Sequence, residues 1–323
     1  MLNLERGKTY SVLTKMQFSS GILKWYSVNQ RTLPWRSNNS SYYVLVSEFM
    51  LQQTQVPRVI EKFKEFMQRF PTLQDLAQAS KAEVIESWSG LGYNRRALLL
   101  HRFAQEVTEK YNGKIPQQKE KLAELPGMGP YTTGAILSFA FNLPEPAIDV
   151  NIRRIYLRFF QGKDQGLPMS KKEEQELYLL AKGTIPENKS TDFHSALMDF
   201  GSLVCTRNAP SCSSCPLQSS CKFFPVYKTN PQKSLFVMEK RKEAGMTENG
   251  KHIPNRIFRG RMVEFARRNQ GQEMALQDLG KAVKKDYKNN EGTWLLSLLE
   301  KLQNDGLLNF TLADEMMILS LPQ

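Results

Sequence analysis

Every cysteine of this 323-residue chain falls in one short stretch, Cys205, Cys212, Cys215 and Cys221, spaced C-x6-C-x2-C-x5-C. Four thiols gathered in this way act as ligands, and they force the intervening chain into a tight loop around whatever they hold. A [4Fe-4S] cluster and a zinc ion are the two groups such a set can bind. Structural zinc sites usually present two close pairs of ligands, whereas here only Cys212 and Cys215 make such a pair, so the spacing favours the cluster. Disulfide pairing ranks last. It needs an oxidising compartment, and the opening residues mix Glu5, Arg6 and Lys8 with scattered apolar side chains, unlike a signal peptide.

The length allows two domains, or one with an appendage, and a 41% hydrophobic content is enough for real cores. No apolar run reaches the roughly 18 residues that span a bilayer, so a soluble, cytoplasmic protein without a membrane partner is expected. A formal net charge of +12 points to a polyanion as the main large partner, because lysines and arginines that neutralise phosphates release counterions. Nucleic acid is the first expectation.

Apolar residues recur at helical spacing through the first two thirds of the chain, as in Ile22, Trp25 and Tyr26, or Leu98, Leu99, Phe103 and Val107. Prolines such as Pro34, Pro57 and Pro126 punctuate these segments, and no sheet is evident there. The fold class that follows is mostly α. From Lys222 to Arg261 ten basic residues stand against three acidic ones and the apolar periodicity lapses, with Glu243 to Gly250 reading as flexible chain. The domain boundaries predicted are therefore 1–225 for the helical part, 226–255 for a basic linker and 256–323 for a small α+β domain. In that last part, helices over 256–268, 276–284 and 292–304 precede two apolar runs, which is the pattern of a winged helix-turn-helix. Its third helix would carry Thr293, Trp294 and Lys301 toward a DNA groove or a partner surface. A module used only for packing is the alternative.

Two further features carry chemistry. The segment Leu125-Pro126-Gly127-Met128-Gly129-Pro130-Tyr131-Thr132 places two glycines between two helical stretches, and such a turn presents the unpaired N–H groups of a helix start to a phosphate. Plain helix connectors share this pattern. Glu48 lies in a nearly uncharged helical stretch, Val46 to Thr54, and burial there would let it hold a proton near neutral pH. Asp149, within Pro146 to Arg154, is flanked by apolar residues and stands where it would cap the next helix. One acid that donates a proton and a second, ionised one facing a sugar cation are what breaking a glycosidic bond requires. An ion pair for Glu48 and a cap for Asp149 are the structural alternatives.

Taken in order, Leu33-Pro34-Trp35-Arg36, Ser47 to Val56 (SEFMLQQTQV), Gly90-Leu91-Gly92-Tyr93, the LPGMGPYT turn, Asp149-Val150-Asn151 and the four cysteines resemble the adenine DNA glycosylases of the MutY type. These belong to the helix-hairpin-helix superfamily that includes endonuclease III. The resemblance covers about residues 20–225. It implies a two-lobed all-helical fold, a [4Fe-4S] cluster held by Cys205, Cys212, Cys215 and Cys221, and excision of adenine mispaired with 8-oxoguanine or guanine. Its partner would be double-stranded DNA carrying the mispair, bound by a monomer associated with the nucleoid. By the same resemblance, Glu48 protonates adenine at N7 and Asp149 stabilises the sugar cation, with Asn151 and Arg36 ordering the site. Tyr131 occupies the place of the nucleophilic lysine of endonuclease III, which implies a monofunctional enzyme with little lyase activity. Gln53 and Tyr93 match the wedge that enters the base stack, and Gln52, Thr54, Leu91, Gly127 and Gly129 fall on neighbouring DNA-contacting positions. The histidines match no family site and are expected to be structural or solvated.

Two departures stand out. Val150 replaces the glycine found in many members, and its β-branch narrows the backbone choices beside Asp149. No Phe-Ser-His tripeptide follows Cys221, so the 8-oxoguanine-reading Nudix-like tail of the family is replaced here by the winged-helix-like segment. Excision of thymine from G:T mispairs and a non-catalytic iron-sulfur DNA-binding protein are the rival functions. The Gln52-Gln53-Thr54 string favours adenine, and retention of both acids favours catalysis.

Overall fold

Local capping cuts the helical part into short pieces. The computed structural model describes residues 10–37, 40–164, 166, 168–229, 243–313 and 316–323. Its helices run α1 (Val12–Asn29), α2 (Ser41–Leu51), α3 (Val56–Arg69), α4 (Leu73–Gln78), α5 (Lys81–Ser87), α6 (Arg95–Tyr111), α7 (Lys119–Ala123), α8 (Pro130–Ala135), α9 (Val150–Tyr156), α10 (Lys171–Lys182), α11 (Ser190–Leu203) and α12 (Phe223–Thr229), with no strand among them in the described residues. Thr72 with Asp75, Ser80 with Glu83 and Ser170 with Glu173 form reciprocal capping boxes that start α4, α5 and α10. Prolines sit in the first turns of α3 and α8, where the missing N–H leaves no hydrogen bond unmade.

The chain gathers into two compact units. One comprises Met1–Leu45, Gln117–Glu124 and Met128–Glu239. Its core is rich in aromatic rings: Phe18 packs at tilted angles against Tyr156, Phe159 and Phe160, with centroids 4.8 to 5.1 Å apart. Cys205, Cys215 and Cys221 lie partly buried against that core, so the cysteine loop is seated on packed helices.

The other unit comprises Val46–Pro116, Leu125–Gly127 and Lys240–Gln323. Its C-terminal part opens with a hairpin, β1 (Gly245–Glu248) paired antiparallel with β2 (Lys251–Pro254). This corrects the expectation of flexible chain over 243–250. The two-residue turn is Asn249-Gly250, both at positive φ (48° and 76°), the conformation that a tight hairpin demands and that Asn-Gly adopts readily. Within the expected linker, residues 230–242 lie outside those described.

Next come α13 (Asn255–Arg268), β3 (Glu273–Ala275), α14 (Leu276–Val283), α15 (Gly292–Asn304), β4 (Asn309–Ala313) and β5 (Met316–Ser320). The three strands form one antiparallel sheet in the order β3-β5-β4. The three helices and the closing hairpin follow the order anticipated from the sequence, while the strand β3 between the first two helices was not anticipated. Within it, Trp294 is not presented outward: its indole N–H donates to Asn255 Oδ1 (3.1 Å), and its ring meets Phe258 edge-on. The core of this part also takes in Ile85 of α5 and packs against Leu98 of α6. Arg267 fastens the contact by donating to the Ile85 carbonyl (2.7 Å). The tail thus shares a hydrophobic core with the helices at 81–111.

Candidate functional site

Asp149 is the N-cap of α9. Its Oδ1 accepts the N–H groups of Asn151 (2.8 Å) and Ile152 (2.7 Å), and its Oδ2 accepts from Asn151 Nδ2 (2.8 Å). The cap and the candidate catalytic acid are one residue. Burial raises its carboxyl above the ordinary aspartate range, and the three hydrogen bonds together with the Arg154 charge offset this only in part. Val150, the departure from the family pattern, is exposed.

A chain of hydrogen bonds ties this cap to the cysteine loop. Arg154 Nη2 donates to Asn151 Oδ1 (2.9 Å), and its Nε donates to the Cys205 carbonyl (2.8 Å). Gly201 permits this approach, because a Cβ there would stand 2.9 Å from that of Asn151. From the other side His194 holds the segment leading into Asp149. Its Nδ1 lies 2.8 Å from the Ser190 carbonyl and its Nε2 accepts from the N–H of Ala147 (3.3 Å). Burial lowers its pKa to about 4, so the ring is neutral, with the proton on Nδ1. The histidine expected to be merely structural therefore sets the position of the candidate acid.

All four cysteines line one cavity, walled by Ile155, Phe159, Leu217 and Phe223, with Arg158 at its edge. Arg158 Nη1 lies 3.6 Å from Cys205 Sγ. Burial pushes the Cys212 thiol up to about 11 and Cys215 to about 12, and the neighbouring thiols add to both. Without a cation the thiols keep their protons, and binding one would release them. Four soft sulfur donors facing a shared apolar space fit an iron-sulfur cluster. Among the described residues no group of three or more His, Cys, Asp or Glu side chains, these cysteines included, is placed to hold a single metal ion, so the fit rests on the donor set and the shared cavity.

Glu48 lies on α2 and is 8% exposed, between buried Ser47 and Phe49. In the LPGMGPYT turn only Gly127 is at positive φ (79°), while Gly129 caps α8 in extended conformation. A Cβ on Gly127 would strike Phe49 Cζ at 2.6 Å, so this glycine brings the turn against the residue next to Glu48. Tyr131 follows in the first turn of α8 and is half-buried.

The remaining expected residues gather at two adjacent turns. Gln53 (φ 58°) and Tyr93 (φ 48°) both hold the left-handed conformation, which a side chain adopts only under constraint. Arg96, unremarked in the sequence, is that constraint. Its Nη1 donates to the carbonyls of Phe49 (2.8 Å), Met50 (2.9 Å) and Gln52, and its Nη2 to Thr54 Oγ1 (3.0 Å) and the carbonyls of Leu91 (3.2 Å) and Gly92 (3.0 Å). Its guanidinium lies 5.5 Å from the Tyr93 ring centre. One buried cation thus braces both turns and leaves Tyr93 40% exposed at the surface.

Three expectations change with this geometry. Leu91 is 4% exposed, so its side chain is core and only its carbonyl serves the turn. Thr54 likewise directs its hydroxyl inward, to the Leu91 carbonyl (3.3 Å). Arg36 is held in an ion pair: both of its terminal nitrogens bond Asp199 (2.9 and 3.0 Å), which also takes Arg31 Nε (2.7 Å). Burial alone would raise the Asp199 carboxyl, but Arg36 and Arg31 hold it below its ordinary range.

Residues 46–182 match the model of the HhH-GPD superfamily base excision DNA repair proteins. The adenine DNA glycosylase of Buchnera aphidicola (subspecies Acyrthosiphon pisum) is 37% identical over 71% of this chain and 68% of its own length. The mouse adenine DNA glycosylase is 42% identical over 64% of this chain, but the match spans only 42% of that longer protein. Among solved structures, a thermostable thymine-DNA glycosylase superposes with a TM-score of 0.61 at 28% identity, covering 66% of this chain and 98% of that one. The chain belongs to the adenine DNA glycosylase family of the HhH-GPD superfamily. No helix among the described residues is long and apolar enough to cross a membrane.

Proposed function

We propose that this protein hydrolyses the N-glycosidic bond of adenine mispaired with 8-oxoguanine or guanine in duplex DNA. The observation that carries the reading is the Asp149 carboxylate, fixed by two backbone N–H groups and the Asn151 amide at the start of α9. In this mechanism Glu48 donates its proton to N7 of the extruded adenine. The C1′–N9 bond breaks with its electron pair leaving on the base, and Asp149, ionised, faces the resulting oxocarbenium-like sugar. Water then adds at C1′ and returns a proton to Glu48. Tyr131 offers no amine, so no Schiff base forms and the abasic strand stays intact.

Cys205, Cys212, Cys215 and Cys221 would hold a [4Fe-4S] cluster, which supplies a rigid, thiolate-anchored brace for the loop. Arg154 carries that brace to Asn151, and hence to Asp149. Gln53 and Tyr93, on turns fixed by Arg96, would enter the stack as the adenine leaves it.

Incubation of purified protein with duplexes carrying one A:8-oxoG, A:G or T:G pair, followed by alkaline cleavage of abasic sites, tests the reading. Product from the two adenine duplexes is expected, and none from T:G. Product from T:G alone would replace adenine by thymine as substrate, a possibility kept in view by the likeness to a thymine-DNA glycosylase. Glu48→Gln should bind the mispaired duplex yet release no base, because the amide keeps the shape without the proton. Turnover close to wild type in this variant would remove Glu48 from the mechanism.

A further inference from the structure

Beside the two braced turns lies an open groove of about 800 Å³, lined on one side by Gln53, Arg58 and Tyr93 and on the other by Arg256, Arg259 and Leu302 of the winged-helix part. This size falls within the roughly 300–1,000 Å³ typical of ligand sites. Five arginines line it, namely Arg58, Arg95, Arg96, Arg256 and Arg259, against a single carboxylate, Asp305. Arg96 is consumed by the turns, and Arg259 pairs with Asp305. Arg95 is exposed and also reaches Asp305 (4.0 Å), which leaves Arg58 and Arg256 as the exposed cations that Asp305 does not neutralise. The Arg256 guanidinium lies 5.7 Å from the Tyr93 ring centre, and its Nε is paired with Glu243 (2.9 Å), both side chains being about half exposed. A surface pair of this kind contributes little, about 0–1 kcal/mol, so a phosphate can displace the glutamate at small cost.

The helix that a winged-helix module ordinarily lays in DNA is the third, here α15. In this chain α15 buries Leu295, Leu298, Leu299 and Leu302 and turns Trp294 into the core contact with Asn255 and Phe258. Its exposed Thr293 and Lys301 do not line the groove. The cations sit instead at the start of α13, next to the turns that carry Gln53 and Tyr93.

We propose that the winged-helix part binds the phosphodiester backbone of duplex DNA through Arg256 at the start of α13, together with Arg58, and not through α15. The tail then extends the DNA footprint of the glycosylase at the wedge. The proposal rests on the glycosylase reading for the identity of the polyanion, but its readout is binding and not excision.

The test measures the dissociation constant of full-length protein for a fluorescent duplex bearing one A:G pair, by anisotropy, across a series of salt concentrations. Each phosphate contact adds about 0.9 to the slope of log affinity against log salt. Arg256→Ala and Arg58→Ala should each weaken binding at low salt by roughly three- to tenfold and lower the slope by about 1, with a circular dichroism melt unchanged because both side chains are exposed. Lys301→Ala should leave affinity within about twofold of wild type. Unchanged slopes in both arginine variants would overturn the proposal, as would a loss in Lys301→Ala equal to theirs. Adenine release by the wild type, measured in parallel, separates the two readings. Release with unaltered slopes sinks the groove alone, whereas altered slopes without release sink the excision reading and leave the DNA contact standing.

Discussion

Replacing Arg96 offers the sharpest test of how the turns at Gln53 and Tyr93 are held. Its two terminal nitrogens serve five carbonyls and one hydroxyl, drawn from the 49–54 and 91–92 segments. A hydrogen bond to a charged group contributes about 1.5–3 kcal/mol. The sum over these partners overstates the net effect, since burying the guanidinium opposes it, and burial lowers the Arg96 pKa to about 10. Removing one member of a buried charged network generally costs about 3–5 kcal/mol, and Arg96→Met is expected in that range. For a unit of this size, that corresponds to a fall in Tm of roughly 10 °C. Arg96→Lys keeps the charge but has three donors on one nitrogen, so it cannot span both turns and should recover less than half of the loss. Thermal unfolding by circular dichroism measures the stability, and anisotropy on an A:G duplex measures the wedge. Affinity should drop in Arg96→Lys even below its melting range, because Gln53 and Tyr93 relax from positive φ once the carbonyls are released. A Met variant within about 1 kcal/mol of wild type, with unchanged DNA affinity, would show that the turns hold themselves and refute the bracing role.

Three further outcomes are expected. The excision rate should fall on acidification, because the proposed mechanism uses Asp149 as a carboxylate and its raised pKa places its protonation above the ordinary aspartate value; in single-turnover assays Asp149→Asn should be nearly inactive at every pH, and an acid limb at the same position in that variant would assign it to another group. Asp199→Asn should lower stability by about 2–4 kcal/mol near neutrality. The folded pKa of Asp199 lies below its unfolded value, so its contribution is complete above about pH 4 and fades as pH falls through the folded value; melts of the two proteins should converge under acid, and a gap that persists there would argue against the charge as its source. Cys215→Ser should purify without the brown colour and full iron content of the wild type, and with weaker DNA binding; full iron content in the variant would exclude this cysteine as a ligand.

The sequence was most informative where chemistry is local. The Asp149 cap, the proline-opened helices and the three C-terminal helices depend on residues a few positions apart, and each lies where periodicity and capping place it. The hairpin at 245–254 was read as flexible chain although Asn249-Gly250 marks its turn, because the surrounding lysines and glutamates mask its short apolar alternation. What could not be read is tertiary. Arg96 lies next to another arginine and resembles surface charge until the carbonyls of two distant segments close around it. His194 gains its role only when α11 brings it to the N–H of Ala147. Leu91 and Thr54 were expected at DNA-contacting positions yet face inward, Leu91 into the core and Thr54 onto the Leu91 carbonyl. Arg36 and Asp199 lie far apart in the chain, and nothing along it announces that they meet.

The tail and the helices at 81–111 bury one another: Ile85 belongs to the same apolar cluster as Phe258, Leu295 and Leu319. During synthesis the ribosome releases Val46–Pro116 long before Lys240–Gln323, so that cluster cannot close until almost the whole polypeptide has emerged. The aromatic core around Phe18 can close earlier, once the chain has emerged as far as Leu217. Maturation of this protein therefore runs out of chain order, and a nascent chain stalled before its final residues would leave the earlier helices with an uncovered apolar face, a natural client for chaperones.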